Sequence, residues 1–465
     1  MTAPDTRDIT SLAPLVRDGA VSPVDLVRQC LDRISARSDL NAFITVLAER
    51  AVEEARQHAQ EIAAGRYRGP LHGIPVSVKD LVDVAGTPTT SGSAVPPRLP
   101  SADAPIVTRL RAAGAIVIGK TNLHEFAFGT TGDETAFGPI RNPHDPSRSA
   151  GGSSSGAAAA LIEGMCWASI GTDTGGSIRI PAAACGTIGL KPAFGEVSTD
   201  GVVPLSTTCD HVGPLTRSVA DARLLIEAIG HVPPADPVTC DVRRLPAVAL
   251  AKAGATCDVR RATNGSLTFG VPTGYLMARL DTEVRGMLAR VCQNLRSQGH
   301  EVRDVEIDGS ELTPDVYLHI VLPEASAYHA AALEHHADGY SPGVRLRLEM
   351  GRYVLAEDYV RAQHLRQLLT ASVDRALEGC DALLLPALAI PAPLLGAASV
   401  EIDGTPEPVR SAMLRLTQLF NLTGHPAIAL PAGQTRTSLP LGIQLVGRRS
   451  ATHELLDVAE QVEKV

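Results

Sequence analysis

The sequence GGSSSGAAAALIEGMCWASIGTDTGGSIRIPAAACGTIGLKP, residues 151–192, decides the fold of this chain. It contains two glycine-flanked serines, Ser153 and Ser177, on either side of a run of small apolar residues, 157–165, that predicts a buried helix. A Gly/Ser segment is often a flexible linker, but a linker joins independent units, whereas this segment leads directly into a helix. The two glycine turns therefore indicate backbone packed closely around a site.

Two other motif interpretations of this stretch fit poorly. Residues 152–156 match G-x-S-x-G, the nucleophile elbow of α/β hydrolases, which requires a strand directly before it. The preceding residues, RNPHDPSRSA at 141–150, are turn-forming instead. A phosphate-binding P-loop is excluded because no Gly-Lys-Ser/Thr follows the glycines.

Patterns outside this stretch predict an α/β layered structure, since apolar runs of strand length alternate with helical patterns. The runs that predict strands lie at 74–78, 115–118, 382–385, 427–430 and 443–446. Helical patterns begin at Ser22-Pro23, cover about 46–65 and prevail over 280–380. Because strands occur early and late, we expect one sheet completed by the C-terminal part, and a single domain over residues 1–465.

Residues 231–265, rich in Pro, Ala and Gly, predict a surface linker or insertion within that domain. The hexapeptide Thr-Cys-Asp-Val-Arg-Arg occurs there twice, at 239–244 and 256–261. Two copies are too few for a solenoid, and a local duplication in a surface loop is the simplest interpretation.

Composition excludes several classes of function. The formal net charge is −9 and aromatic residues make up only 3%, so the chain lacks the basic face and stacking platforms of a nucleic-acid binder. The N-terminus MTAPDTRD has no signal-peptide core, and no run of 18 apolar residues occurs, so we expect a cytoplasmic protein without a membrane partner. The 8 cysteines form no CxxC pair, and we expect reduced thiols, no metal and no cofactor.

A third candidate for chemistry is Lys79, in the stretch GIPVSVKD at 73–80. A lysine that ends an apolar run is usually solvated. If Lys79 is buried near the two serines, desolvation lowers its pKa, and the neutral amine can act as a general base for a hydroxyl. The neighbouring Asp80, if ionised and close, would oppose that shift.

Taken together, these stretches closely resemble the amidase signature family over about residues 8–450. The resemblance includes the GGSSSG and GTDTGGSIRIPAAACG segments quoted above. Its other parts are HGIPVSVKD (72–80), KTN (120–122), FGP (137–139), RNP (141–143), GLKP (189–192), GVVPL (201–205), FNLTGHPA (420–427) and LPLG (439–442). So long an ordered set of motifs is highly specific.

The resemblance implies a fold and a catalytic group. The fold is an α/β/α sandwich around a large mixed β-sheet. Ser177 corresponds to the nucleophile, Ser153 to the bridging serine that follows a cis peptide bond, and Lys79 to the base behind it. In this family no histidine is required, so we interpret His72, His124, His211 and His425 as packed or surface residues.

The family's oxyanion hole and substrate pocket can also be carried over. Backbone N–H groups in the turn that leads to the nucleophile form the hole, which corresponds to Thr174, Gly175, Gly176 and Ser177. The pocket lining corresponds to Phe126, Ala127, Phe128, Gly129 and Thr130, and suggests an uncharged apolar acyl or aryl group. The chain departs from the family pattern at Ala150, Ser155 and Ala157, none of which is a catalytic position.

We therefore expect a hydrolase that cleaves a linear carboxylic acid amide, alkyl or aryl, through an acyl-enzyme, with esters and carbamates as further substrates. The main alternative is the A component of a glutamine-dependent aminoacyl-tRNA amidotransferase, which would release ammonia from glutamine for a partner protein. An allophanate hydrolase and a catalytically inactive binding protein are less favoured. The expected partner is a small-molecule amide, and the sequence leaves open whether the chain forms a homo-oligomer.

Overall fold

A large mixed β-sheet organises the computed structural model, which describes residues 7–230 and 265–464. The strands are β1 (Phe43–Val46), β2 (Pro75–Lys79), β3 (Ile116–Thr121), β4 (Ala168–Asp173), β5 (Ile188–Lys191), β6 (His211–Thr216), β7 (Thr268–Pro272), β8 (Glu301–Val305), β9 (Ala382–Pro386), β10 (Ser399–Ile402), β11 (Thr405–Pro408), β12 (Ala427–Gln434) and β13 (Pro440–Val446). Eleven of them form one sheet in the order β1-β3-β2-β4-β6-β5-β12-β13-β9-β7-β8, and β10 pairs with β11 apart from it.

Helices cover this sheet, so that the chain forms an α/β/α sandwich. They are α1 (Ile9–Arg17), α2 (Pro23–Ala36), α3 (Ala48–Ala63), α4 (Pro105–Ala112), α5 (Ser155–Ile162), α6 (Arg179–Cys185), α7 (Val219–Ile229), α8 (Thr282–Ser297), α9 (Thr313–His336), α10 (Pro342–Gly351), α11 (Ala356–Ala376), α12 (Val409–Leu414), α13 (Gln418–Leu422) and α14 (Thr452–Val462). Among the helices in the described ranges, none has both the length and the apolar character needed to span a bilayer.

The centre of the sheet places the ends of its strands at one site. β2, β3 and β4 are buried along their whole length, as expected for parallel strands covered on both faces. β2 runs parallel to both β3 and β4. The carboxyl ends of the three strands therefore meet at the same edge, where Lys79 ends β2 and Asp173 ends β4.

The small residues before and within α5 allow this helix to lie against the sheet. A side chain at Gly156 would overlap the backbone oxygens of Ala42 and Asn122, so only glycine permits this approach. The alanines that follow in α5 are buried, and the helix packs on β2, β3 and β4. The N-terminal end of α5 therefore lies over the strand edge that carries Lys79.

Most predicted elements are found, and the C-terminal strands β9, β12 and β13 do complete the sheet. Ser22 caps α2 by accepting a hydrogen bond from the Val24 N–H at 3.2 Å. Strand β8 was not predicted within 280–380, because it is a largely exposed edge strand of polar character. The six cysteines in the described ranges are free and buried. The predicted insertion at 231–265 lies outside the described residues except for its last position, and the single domain stays a prediction.

Candidate active site

Lys79 and Ser153 are in direct contact at the strand edge. The Lys79 ammonium nitrogen Nζ lies 2.8 Å from Ser153 Oγ and 2.8 Å from Thr172 Oγ1. Lys79 comes from the end of β2, Ser153 from the loop before α5, and Thr172 from β4. Both Lys79 and Ser153 have no exposed surface. The peptide bond between Gly152 and Ser153 is cis.

Burial makes Lys79 a weak base compared with a free lysine. Desolvation lowers the pKa of Lys79 to about 7, and the carboxylates of Asp173 and Asp210 only partly oppose this shift. Asp80, which was expected to oppose the shift if ionised and close, instead binds Lys120, with 2.6 Å between Asp80 Oδ1 and Lys120 Nζ in a buried ion pair. A substantial fraction of Lys79 is therefore neutral near neutral pH.

Ser177 lies in the turn between β4 and α6, next to this pair. Its carbonyl oxygen accepts a hydrogen bond from the Ser154 N–H at 3.1 Å, which ties the two serine-bearing segments together. The Ser177 residue is 6% exposed. In residues 7–230 and 265–464 the Ser177 hydroxyl forms no hydrogen bond, to Ser153 or to any other group.

The turn before Ser177 presents backbone N–H groups without acceptors. Within the described chain, the N–H groups of Thr174, Gly175 and Ser177 form no hydrogen bond. The N–H of Gly176 differs, because it donates to Asp173 Oδ1 at 2.7 Å. Three of the four expected oxyanion-hole donors are therefore available for a ligand, while Gly176 is engaged in holding the turn.

A buried ion pair fixes the shape of this turn. Asp173 and Arg179 have fully buried side chains and lie 3.0 Å apart, from Arg179 Nε to Asp173 Oδ2. Burial works against ionisation of Asp173, but the charges of Arg179 and Lys191, together with hydrogen bonds from Arg179 and Asn421, outweigh it and hold the Asp173 pKa below its ordinary value. Thr417 Oγ1 donates to the Gly175 carbonyl at 2.5 Å from the other side. The turn is therefore held by side chains at both of its glycines.

A cavity of about 290 Å³ opens beside these groups. Thr172, Thr174, Ala127, Asp210 and Leu81 line it, together with residues 199–205. Because Thr172 binds Lys79 and Thr174 belongs to the turn before Ser177, the cavity reaches the reactive edge of the sheet. Burial raises the pKa of Asp210 to about 6, although the Thr174 hydroxyl donates to Asp210 Oδ1 at 2.6 Å.

The predicted pocket segment, Phe126 to Thr130, contributes Ala127 alone to the lining of this cavity. Phe126 packs against His329, with 4.4 Å between ring centroids, and against Tyr340. Phe126 and Ala127 adopt left-handed φ angles of 48° and 58°, which are strained for residues with a side chain. The apolar ring of Phe126 is thus committed to packing within the protein.

The rest of the segment is also committed to internal contacts. Phe128 is 1% exposed and has two arginine side chains near its ring. Gly129 leaves no room for a side chain because the His124 ring fills that space, and the backbone of Thr130 contacts Gly152. The expectation of an uncharged substrate relied on this segment. Because Ala127 is the one residue of the segment that lines the cavity, it alone still supports that expectation.

Several residues of the site were not singled out from the sequence. Thr172 lies within the GTDTGGS motif, so its position beside Asp173 was the available signal. Asp210 lies outside that motif, so no local signal pointed to it. Ser155, a departure from the family pattern, has a buried hydroxyl without a partner in the described residues. None of the hydrogen bonds of His72, His124, His211 or His425 reaches a hydroxyl of Ser153 or Ser177.

His58, Glu61 and His72 form a cluster that the sequence analysis missed, with ligand atoms within 4.8 Å of one another. Two of its members form hydrogen bonds with Arg68, whereas the buried His58 Nδ1 has no partner among the described residues. His72 Nδ1 accepts a hydrogen bond from the Arg68 N–H at 3.1 Å, so the neutral ring carries its proton on Nε2, which faces Glu61 at 3.2 Å. The Arg68 guanidinium also covers the Glu61 carboxylate.

Comparison with known proteins finds close relatives over almost the whole chain. The family model described as "Amidase" matches residues 25–456. An amidase of Pseudomonas putida is 38% identical, covering 93% of this chain and 90% of its own length. The A component of the glutamyl-tRNA(Gln) amidotransferase of Geobacter metallireducens is 35% identical, covering 96% and 94%. A solved amidase structure superposes with a TM-score of 0.89 at 40% identity, covering 98% of this chain and 99% of that one.

Proposed function

This chain belongs to the amidase signature family of hydrolases, and on that premise we propose that it cleaves a linear carboxylic acid amide through an acyl-enzyme on Ser177. The observation that carries the proposal is the contact between a buried lysine of lowered pKa and a buried serine, 2.8 Å from Lys79 Nζ to Ser153 Oγ. A lysine in this state can accept a proton from a hydroxyl. The three proposed catalytic residues are Lys79, Ser153 and Ser177.

In the proposed first step, neutral Lys79 accepts the proton of the Ser153 hydroxyl. The Thr172 hydroxyl accepts a hydrogen bond from Lys79 Nζ at 2.8 Å, and in the neutral amine the remaining lone pair serves to take the Ser153 proton. Ser153 in turn removes the proton of Ser177, and Ser177 Oγ attacks the amide carbonyl carbon. The free N–H groups of Thr174, Gly175 and Ser177 are the proposed donors to the oxyanion that forms.

The second half of the reaction returns the protons. The tetrahedral intermediate collapses as the C–N bond breaks, and the leaving nitrogen takes the proton that Lys79 and Ser153 held. A water molecule, deprotonated through the same pair, then attacks the ester on Ser177 and releases the acid. Esters and carbamates with good leaving groups can use the same groups.

The proposed substrate has an alkyl or aryl amide as its reacting group. The cavity of about 290 Å³ beside Thr172 and Thr174 is near the lower end of the size range of small-molecule sites. A second candidate function is that of the amidotransferase A component, which the Geobacter relative favours. Residues 341–370 lack the Tyr-rich run associated with that component, so we rank it second.

A substrate panel tests the two functions. The purified chain, without partners, is assayed for kcat/KM with short aliphatic amides, aryl amides, aryl carbamates and glutamine. We expect an alkyl or aryl amide to be turned over best. Glutamine as the best substrate, or activity that requires added partner proteins, would favour the amidotransferase. Ser177→Ala serves as the inactive control for every substrate.

A further inference from the structure

Asp210 lies directly before β6, at the edge of the sheet where β4 ends. The two strands are antiparallel, and their register pairs Asp173 with His211. The residue that follows Asp173 and the residue that precedes His211, Thr174 and Asp210, are therefore neighbours at this edge. The Thr174 hydroxyl donates a hydrogen bond to Asp210 Oδ1 at 2.6 Å. A carboxylate is thus attached to the turn that leads to Ser177.

The same carboxylate holds the wall of the cavity. Asp210 Oδ2 accepts hydrogen bonds from the Leu205 N–H at 2.9 Å and from the Ser206 N–H at 3.1 Å. Leu205 lines the cavity, and so does Asp210 itself. Ser206 is anchored in turn, because its hydroxyl donates to Glu324 Oε2 on α9 at 2.6 Å. Asp210 therefore joins the cavity wall to the turn that begins at Thr174.

These hydrogen bonds favour the ionised form of Asp210. The Thr174 hydroxyl and the Ser206 N–H approach Oδ1, and the N–H groups of Leu205 and Ser206 approach Oδ2. A proton on the carboxyl group would have to displace one of these donors. Burial, and to a smaller extent the Glu324 carboxylate, act in the opposite direction and raise the pKa of Asp210 to about 6. Asp210 is therefore mainly ionised at neutral pH.

Thr174 is the one proposed oxyanion donor whose own side chain is held in this way. Its hydroxyl is carried by Cβ, next to the backbone, so a hydrogen bond at Oγ1 restrains the orientation of the residue and of its free N–H group. Thr417 holds the carbonyl of Gly175, and Asp173 holds the N–H of Gly176. Donors that are oriented before the reaction stabilise an oxyanion best. The orientation of the Thr174 N–H should therefore depend on Asp210.

We propose that Asp210 is a positioning residue for the reaction: through the Thr174 hydroxyl it holds the first N–H group of the oxyanion-binding turn in place and fixes this turn to the cavity wall. The inference rests on the proposed function and adds a residue to it. Asp210 takes no part in the proton transfers, and its carboxylate is already occupied by donors of the protein.

The substitution Asp210→Asn tests this role in the full chain. The asparagine amide group is a donor and faces donors of the protein, so the contact with Thr174 or those with the cavity wall are lost. We expect kcat to fall by about tenfold to a hundredfold, less than the loss of an oxyanion donor itself costs. The assays use the amide that is turned over best in the substrate panel, at a pH well above 7. Lys79 is then neutral in both proteins, because the Asp210 charge raises its pKa and removal of this charge lowers it.

Asp221→Asn is a matched control for a purely structural effect. Asp221 is also a buried carboxylate that accepts backbone N–H groups, from Ile9 at 2.9 Å and Thr10 at 3.1 Å, and burial also raises its pKa to about 6. It lies on α7 and holds the start of α1. We expect this variant to lose stability in urea unfolding but to keep the wild-type kcat. Wild-type kcat in Asp210→Asn, or an equal loss of kcat in both variants, would overturn the inference.

Variants of Thr174 separate its hydroxyl group from the rest of the network, and cover the case in which Asp210→Asn does not fold. Thr174→Val keeps the shape of the side chain but removes the donor, and should lower kcat with little change in KM, because the oxyanion exists only after substrate binding. Thr174→Ser keeps the donor and should retain most of the wild-type kcat. Equal kcat values in these two variants would contradict the inference.

The double variant of Asp210→Asn and Thr174→Val completes the test. If the two residues act through their hydrogen bond, the double variant should lose little more kcat than the more affected single variant. Losses that multiply would show that Asp210 does not act through Thr174. Failure of the proposed function is recognised separately, by amide hydrolysis that survives in Ser177→Ala.

Discussion

Asp80 and Lys120 form a buried ion pair, with 2.6 Å between Oδ1 and Nζ, immediately beside Lys79. Lys120 thus engages the Asp80 carboxylate, which directly follows Lys79 in the sequence. Lys79 itself has no ion-pair partner among the described residues, and its nitrogen binds two hydroxyl groups instead. This arrangement keeps Lys79 in a state in which it can lose its proton near neutral pH.

The pH dependence of the reaction follows from this state. Burial lowers the pKa of Lys79 to about 7, so the lysine is charged and inactive below that pH and neutral above it. We expect kcat/KM to rise as pH increases through about 7 and then to level off. The measurement is a kcat/KM profile on an uncharged aryl amide. A rise of the same shape in the residual activity of Lys79→Ala would show that another group controls it.

Substitutions in the proposed relay should act as one unit. Ser177→Ala is expected to abolish turnover, and Ser153→Ala and Lys79→Ala each to lower kcat by several decades. The double variant of Ser153 and Lys79 should lose little more than either single one, because both serve the same proton transfer. Single-turnover assays of all four variants provide the data. Losses that multiply in the double variant would mean that the two residues act independently.

Asp173→Asn should destabilise the protein strongly. The substitution leaves the fully buried Arg179 without a compensating charge, a change that costs about 3–5 kcal/mol in the free energy of unfolding. Urea unfolding followed by circular dichroism measures this cost. Asp18→Asn is the control, because Asp18 pairs with Arg17 on the exposed surface and its loss should leave stability unchanged. Equal stabilities of the two variants would contradict the prediction.

Gly176→Ala should disturb both the fold and the reaction. Gly176 has a φ of +137°, and a methyl group there would overlap the Thr417 hydroxyl. We expect the free energy of unfolding to fall by about 1–3 kcal/mol and kcat to decrease, since the turn before Ser177 must move. Gly274→Ala separates the two causes, because Gly274 has a φ of +69° but no atom within 4 Å of the added methyl. The prediction is contradicted if both variants lose the same free energy of unfolding and Gly176→Ala keeps its kcat. The close packing at Gly176 would then affect neither folding stability nor turnover.

Inhibitors should distinguish serine chemistry from metal chemistry. Activity is expected to survive EDTA, since none of the three proposed catalytic residues, Lys79, Ser153 and Ser177, belongs to the cluster of His58, Glu61 and His72. A sulfonyl fluoride should inactivate the enzyme by reacting with a serine hydroxyl. Mass spectrometry of the treated protein identifies the modified residue. Loss of activity in EDTA that zinc restores would contradict the prediction.

The sequence predicted the sheet and the contact of Lys79 with Ser153 well, because the relevant residues lie in ordered motifs with clear strand and helix boundaries. The pocket stays a prediction, and of its segment Ala127 alone lines the cavity beside Thr172 and Thr174. The Phe126–Thr130 segment was carried over from a resemblance, and whether a ring faces a ligand or its own protein depends on distant partners, here His329 and Arg410. No local pattern in the sequence encodes such partners.

Other contacts of the site could not be predicted for the same reason. They join side chains from distant parts of the chain. Tyr317 and Thr417 each touch the turn before Ser177, yet both lie in helical or loop segments whose own patterns report only local structure. The Asp80–Lys120 pair was also missed, because the register of two parallel strands brings it together. Sequence patterns predict elements, whereas these contacts arise from how the elements are paired.

The guanidinium of Arg179 also binds Gln444 Oε1 on β13, at 3.0 Å and across 265 positions of the chain. During synthesis the residues up to Ser177 leave the ribosome long before this partner exists. A nascent or truncated polypeptide that ends before β12 and β13 therefore holds every proposed reactive side chain but lacks the support of the turn that presents Ser177. On the proposed mechanism, we therefore expect hydrolytic activity only after β12 and β13 have been synthesised, and long-range contacts of this kind slow folding.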